Sequence, residues 1–170
     1  MMIYWNSFDI EHGLVALAAT EKGVCYIGLG EGSEERMKNW LSRQFGEAAV
    51  MQDADRLSDA AAEISKYLSG EIRQFVSPFD SIGTSFQLAV WEVLRDIPYG
   101  ETAAYSDIAE SIGRPAAVRA VASAIGKNPL LLIVPCHRVI GKNGSLSGYR
   151  DGLQWKERLL CLEKEFAGLC

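Results

Sequence analysis

One short segment carries the residues best suited to covalent chemistry. Cys136 and His137 are adjacent, and they follow the wholly apolar run LLLIV at 130–134. Such a run is typical of a short buried strand, which would present the thiol at its end. The neighbourhood is basic, and nearby cations favour the nucleophilic thiolate by lowering a cysteine pKa below about 8.5. Because neighbouring strand side chains point oppositely, His137 would need a turn or a bridging water to act on Cys136. The alternative is a buried structural cysteine beside an unrelated histidine.

Helices must position this segment. One is predicted to begin at Thr84 or Ser85 and to stop before Pro98. A second covers about 104–112, and a third ends at Gly126. The turn Gly113-Arg114-Pro115 between them gives a helix-turn-helix pattern, which helical bundles also show.

The third helix has an unusually bare face. Val118, Val121 and Ile125 form its apolar stripe. The opposite face carries Ala116, Arg119, Ala120, Ser123 and, if the helix extends so far, Lys127. Small side chains permit close approach to a nucleic-acid minor groove, which is only about 6 Å wide. Packing of the helix on both sides is the alternative.

Charge is distributed unevenly. Residues 111–158 contain eight Lys and Arg against two Asp and Glu, within a chain of net charge −5. A basic segment of this kind is what a polyanion-binding surface requires, although ordinary surface variation would also produce it.

The first half has a different character. Short strands are predicted at 3–8, 14–20 and 23–29, helices at 34–45 and 58–68, and a partly extended connector at 71–83. We therefore expect an α+β protein with two domains, 1–80 and 81–170.

Composition excludes several classes of protein. With 170 residues, 48% hydrophobic and 23% charged, the chain is neither disordered nor fibrous. It has no apolar run long enough to span a membrane and no secretory signal. Four cysteines without a CxxC pair argue against a disulfide framework and favour a cytoplasmic protein, associated with the nucleoid if bacterial. Cys25 and His12 are too few for a zinc site in the first half, so no metal is expected.

Residues 84–165 resemble the 6-O-alkylguanine-DNA alkyltransferases. The resemblance rests on the helix-turn-helix and on four motifs in order: Asn128-Pro129, Pro135-Cys136-His137-Arg138-Val139, Ser147-Gly148-Tyr149 and a Lys156…Glu163 helix. It implies a ribonuclease-H-like N-terminal domain, a small β-sheet with helices. It also implies a mostly helical, winged-helix-like C-terminal domain.

The resemblance implies a DNA repair reaction in which Cys136 takes the alkyl group from 6-O-alkylguanine. His137 would act as general base through a water, oriented by Glu163, and Tyr105 would donate to guanine N3 and help to rotate the nucleotide. The thioether product cannot be cleaved by any nearby group, so each molecule would react once, and no cofactor is needed.

Binding roles also follow from the resemblance. Tyr149 and the amide of Arg150 would line the pocket and bind the 6-oxygen, and the carbonyls of Cys136 and Val139 would accept from the exocyclic amine. Lys156 would order this loop, and Asn128 would be the hinge after the recognition helix. Arg119 would fill the space left by the flipped base.

The predicted partner is double-stranded DNA, held in its minor groove mainly through backbone contacts and without sequence specificity. The protein is expected to be a monomer that binds no membrane. Two other functions are weighed: an alkylation-damage sensor that transfers nothing, and a thiol hydrolase, which would turn over repeatedly.

Overall fold

The computed structural model describes residues 1–168, which form two compact units, the first ending at Ser81 and the second beginning at Ile82. The division falls next to the boundary predicted from the sequence. The α+β prediction is confirmed, with a small sheet in the first unit and mostly helices in the second.

The first unit is a four-stranded sheet with two helices. Its elements are β1 (Met2–Ile10), β2 (Gly13–Thr20), β3 (Gly23–Leu29), α1 (Ser33–Phe45), β4 (Ala49–Gln52) and α2 (Ser58–Leu68). The strand order is β3-β2-β1-β4; β1, β2 and β3 are antiparallel neighbours, whereas β4 is parallel to β1. The short β4 was not predicted, because all four of its residues are exposed and show no apolar alternation.

Burial explains why the first unit folds. The central strand β2 is buried from Val15 to its end, and α1 packs on β2 and β3 with Met37 and Leu41 turned inward. The connector after α2 is partly extended, as predicted, since Val24 N donates to Pro78 O and Asp80 N donates to Val24 O. Thr20 Oγ1 also donates to Asp80 Oδ2 at 2.7 Å, which fixes the end of the connector.

The second unit is built from short helices. Its elements are α3 (Ser85–Leu94), β5 (Ala103–Ala104), α4 (Tyr105–Ser111), α5 (Val118–Gly126), a 3₁₀ helix (Cys136–Arg138), β6 (Val139–Ile140) and α6 (Leu153–Phe166). Thr84 and Gln87 form a capping box at the start of α3, which satisfies backbone donors at the helix start. Inside the unit, Trp91 Nε1 donates to Ala124 O at 2.8 Å and joins α3 to α5.

A glycine ends the first helix of the helix-turn-helix. Gly113 has φ +75°, and the amides of Gly113 and Arg114 donate to the carbonyls of Glu110 and Ala109. This is a Schellman motif, in which a residue without Cβ closes a helix in the left-handed conformation. The chain can therefore reverse within six residues and begin α5 at Val118.

The strand predicted at 130–134 is wrong. Val134 N donates to Leu130 O, and Leu132 lies in the left-handed region at φ 74°, so the segment is a buried reverse turn. The apolar run indicated burial correctly, since Leu130, Leu131 and Val134 are fully buried. Periodicity does not separate a buried turn from a buried strand of the same length.

Candidate active site

Cys136 opens the 3₁₀ helix directly after this turn. It is 4% exposed and lines a cavity of about 540 Å³ within the second unit. The other lining residues are Tyr105, Val118, Arg119, Ala122, Ile125, Gly126, Ser147, Gly148, Tyr149 and Arg150. Five of the predicted site residues, Cys136 among them, thus share one cavity, while the remainder lie behind it or on the helix face outside it.

Asn128 fixes the turn that carries Cys136. Its side chain is fully buried, and its Nδ2 donates to the carbonyl of Val134 at 3.0 Å and to that of Leu130 at 3.4 Å. Its Oδ1 accepts from Leu130 N at 2.9 Å. One amide side chain therefore satisfies the Leu130 amide and adds a second donor to two carbonyls that already accept backbone amides.

His137, Arg138 and Glu163 form a buried cluster behind the thiol. His137 Nε2 lies 2.5 Å from Glu163 Oε2. Arg138 donates to the same carboxylate twice, from Nε to Oε1 at 2.7 Å and from Nη2 to Oε2 at 3.0 Å. Gly100 N donates to Oε1 at 3.1 Å, and Arg138 Nη1 donates to Ile97 O at 2.7 Å. The carboxylate therefore joins the loop before β5 to the turn that holds the thiol.

The surroundings shift the pKa of each group in the cluster. Burial opposes ionisation of Glu163, but hydrogen bonds from His137 and Arg138 outweigh it and hold the carboxyl pKa well below its usual range. Burial lowers the pKa of His137, against the opposing effect of the Glu163 contact. The cluster thus holds an ionised carboxylate beside a guanidinium, and burial favours the uncharged form of the imidazole.

The expectation that the basic neighbourhood favours a Cys136 thiolate is wrong for the resting protein. Burial raises the thiol pKa, and the hydrogen bond to Asn128 and the charges of Arg150 and Lys156 only partly offset it. Desolvation of a buried sulfur outweighs cations that are themselves engaged elsewhere. The thiol therefore needs a base when it reacts.

Lys156 and Tyr105 meet at one loop. Lys156 is fully buried on α6, and its Nζ donates to Ser147 O at 2.9 Å and to Gly148 O at 3.3 Å. Tyr105 Oη donates to the same Ser147 carbonyl at 2.9 Å. The two side chains hold the 147–148 loop over the cavity.

Arg150 lies on the cavity wall, and its positive charge is paired with Asp151. Its guanidinium donates to both carboxylate oxygens of Asp151 at 3.2 Å, and Nη1 donates to Asn128 O at 2.9 Å. Val139 is fully buried in β6, with its amide donating to Cys136 O. Val139 is not part of the cavity wall.

The bare face of α5 is open to solvent. Ala116, Arg119, Ala120, Ser123 and Lys127 are all exposed, whereas Val121, Ala124 and Ile125 are buried. A helix packed on both sides is therefore excluded. Ala116 lies in the turn before α5, and Lys127 is the residue that caps the helix end.

The predicted basic surface is smaller than the sequence count suggests. Arg138 and Lys156 are buried and Arg150 is partly buried. Three of the eight basic residues therefore contribute little to the surface. Arg138 is also the functional residue that sequence reasoning missed. Its only sequence signal was a charged residue placed directly after a buried apolar run, where a charge requires a partner.

The described residues offer neither a metal-binding cluster nor a membrane-spanning helix. Within residues 1–168, no group of three or more His, Cys, Asp or Glu could hold a metal ion. In the same range, no helix is long and apolar enough to cross a membrane.

The chain is similar to known proteins in both sequence and fold. Residues 85–165 match the sequence profile described as 6-O-methylguanine DNA methyltransferase, DNA binding domain. An inducible methylated-DNA–protein-cysteine methyltransferase of Bacillus subtilis is 48% identical over 162 residues, covering 95% of this chain and 90% of that protein.

Solved structures agree along nearly the whole chain. The crystal structure of the Mycobacterium tuberculosis O6-methylguanine methyltransferase has a TM-score of 0.83 at 38% identity, covering 96% of this chain and 94% of that one. The M. tuberculosis protein in complex with DNA has a TM-score of 0.82 at 37% identity, covering 98% and 94%.

Proposed function

The chain belongs to the methylated-DNA–protein-cysteine methyltransferase family, and on that premise we propose that it repairs 6-O-alkylguanine in DNA by transferring the alkyl group to its own Cys136. The observation that supports this is a cysteine on the wall of a cavity of about 540 Å³, with a histidine–carboxylate pair behind it. Cavities of about 300–1,000 Å³ are typical of small-ligand sites. We further propose that the protein acts as a monomer, since every residue invoked belongs to one chain.

The reaction is a direct displacement at carbon. The Cys136 sulfur forms a bond to the alkyl carbon while the bond from that carbon to the guanine 6-oxygen breaks, and the electron pair leaves with guanine. Because burial raises the thiol pKa in the resting protein, a base must take the thiol proton. We assign this role to His137, acting through a water, with Glu163 as its acceptor at Nε2.

The leaving group also needs a proton or a hydrogen bond. Tyr105 is on the cavity wall, but its hydroxyl donates to Ser147 O in the resting protein. Donation to guanine N3 therefore requires the hydroxyl to turn away from that carbonyl. Lys156 holds the same carbonyl independently, so the 147–148 loop keeps one anchor when Tyr105 turns.

Cys136 can reach the alkyl carbon only if the alkylated guanine rotates out of the duplex. We propose that the exposed face of α5, with its small residues, enters the minor groove; in support, Arg119 lies both on that face and on the cavity wall. A side chain in that position can occupy the stack where the base had been. Contacts to phosphates would come from exposed basic side chains such as that of Lys127.

Mass spectrometry of the intact protein and of its peptides tests the proposal. Mixing the protein with duplex DNA that holds a single 6-O-methylguanine should add one methyl group, on the peptide that contains Cys136, and saturate at one per chain. Cys136→Ser should abolish transfer and retain DNA binding. Cys161, which is exposed on α6, provides the matched control, because Cys161→Ser should leave transfer unchanged.

Each other outcome selects a different function. Tight binding to the modified duplex without any gain in mass would indicate a damage sensor. Repeated turnover of a peptide or an ester would indicate a thiol hydrolase. Loss of both folding and binding in Cys136→Ser would make this cysteine structural.

A further inference from the structure

Glu163 accepts more hydrogen bonds than the orientation of His137 alone requires. Its side chain is 1% exposed, and its two oxygens receive Arg138 Nε, Arg138 Nη2, Gly100 N and the His137 ring nitrogen. Arg138 is 8% exposed at its side chain and its third guanidinium nitrogen binds the Ile97 carbonyl. The planar, two-point contact is the geometry that arginine offers a carboxylate and lysine does not.

This arrangement determines how the proton on His137 is placed. An ionised carboxylate only accepts hydrogen bonds, so the His137 Nε2 that faces Glu163 must carry the hydrogen. In the uncharged ring, Nδ1 then carries the lone pair. A charged ring carries hydrogens on both nitrogens and has no lone pair with which to accept the proton of a thiol.

The charges around His137 come from two elements, α6 and the 3₁₀ helix. Glu163 and Lys156 reach it from α6, and Arg138 and Cys136 flank it on the 3₁₀ helix. The helix α3 also packs against this turn, but its one charged residue, Glu92, has a side chain 74% exposed. With His137 uncharged, Glu163 is balanced by Arg138, and Lys156 remains to balance the thiolate that forms during the reaction.

Without Arg138 the balance changes. The buried carboxylate at 2.5 Å from the imidazole then loses the cation that makes the two-point contact with it, and buried charges are strongly driven to pair. The ring would take up a proton to become that partner. It would hold this proton before the substrate arrives, at the site where the base must accept one.

We propose that Arg138 is a positioning residue that neutralises Glu163 and thereby keeps His137 uncharged and able to accept a proton from Cys136. Arg138 does not touch the cavity, so it acts only through Glu163 and His137. The inference concerns the base of the proposed transfer reaction and rests on that function. Its structural part, the protonation state of His137, can be measured without any reaction.

The chain has two histidines, which makes His137 accessible to NMR. In a His12→Gln background, one imidazole signal remains and can be titrated between pH 4 and pH 9. We expect Arg138→Met to raise the imidazole pKa of His137 by at least about one unit, a tenfold change in its proton affinity. Arg138→Lys retains the charge and should shift that pKa by less than half as much.

The methyl-transfer rate as a function of pH provides the second readout. In Arg138→Met the rate at pH 7 should fall with the uncharged fraction of the ring, by up to about threefold for a shift of one unit, and it should recover as the pH is raised and the ring loses its proton. A purely structural loss would lower the rate by a constant factor at every pH. Circular dichroism of each variant verifies folding.

The double variant Arg138→Met/Glu163→Gln keeps the test decisive if the single variant does not fold. It removes both charges together, so the imidazole pKa should return to the wild-type value or below. A His137 that titrates identically in wild type and Arg138→Met, or that remains charged at pH 7 in the double variant, overturns the inference. A wild-type protein that transfers no methyl group refutes the proposed function alone, because the NMR titration still tests the role of Arg138.

Discussion

Removal of the Asn128 side chain should destabilise the second unit more than any exposed asparagine could. Asn128→Ala leaves the Leu130 amide buried without the acceptor that the side chain supplied at 2.9 Å, and it leaves the Val134 carbonyl with the Cys136 amide as a donor. Each buried group left unsatisfied costs about 1–3 kcal/mol. We therefore expect a loss of about 1–3 kcal/mol, a substantial share of the roughly 5–15 kcal/mol that stabilises a typical domain.

The measurement is urea unfolding followed by tryptophan fluorescence. Of the four tryptophans, Trp91 and Trp155 belong to the second unit, so a Trp5→Phe/Trp40→Phe background reports on that unit alone. Asn128→Asp keeps the size of the side chain but replaces the Nδ2 donor by an oxygen facing the Val134 carbonyl. It should destabilise at least as much as Asn128→Ala, which separates the hydrogen bonds from the lost volume.

Asn143→Ala is the matched control. Asn143 is exposed, and its Oδ1 accepts from Ser145 N at the surface, where water can replace it. Its effect should stay within about 0.5 kcal/mol. If Asn128→Ala also stays within that range, the turn before Cys136 does not depend on this side chain and the reasoning is refuted.

Two further predictions concern DNA and pH. Arg119→Ala should slow methyl transfer from duplex DNA about tenfold or more, since stabilising a flipped base is worth a few kcal/mol, yet leave transfer from free 6-O-methylguanine within about twofold; an equal fall in both would contradict the assignment. The pKa values of His137 and Glu163 are lowered from 6.5 and 4.5, so their contribution to stability is present above those values and is lost as the pH falls below them. Burial raises the pKa of Cys25 from 9.0 to about 12, so its contribution is lost as the pH rises across that interval. Urea unfolding midpoints at pH 4, 7 and 10 test the loss of stability at low and at high pH. Cys25→Ser should reduce the loss at high pH.

Local signals in the sequence predicted much of the fold. The helix at Ser58–Leu68 has the predicted bounds, and Thr84 caps α3 as predicted. Lys156 and Glu163, which the family resemblance placed on one helix, share the buried face of α6. Caps, spacings and burial stripes depend on neighbours within a few residues, and the sequence records them directly.

Contacts between distant residues were beyond such reasoning. Arg138 and Glu163 are separated by 25 residues, and nothing in either local sequence indicates that one carboxylate serves both Arg138 and His137. The turn at 130–134 failed for a related reason, since the side chain of Asn128 stabilises a backbone conformation that the apolar residues do not themselves favour. In both cases, a side chain outside the motif decides its geometry.

The burial of Cys136 affects how long the protein stays reactive before it meets damaged DNA. A molecule that reacts once has no means to renew a sulfur lost to peroxide or to a stray electrophile. Oxidation of cysteine depends on exposure and thiolate character, and Cys136 is 4% exposed with a raised pKa. Cys161, which is exposed, would meet such reagents first. The buried thiol of the resting site, with its raised pKa, is thus protected from such loss until it meets its substrate.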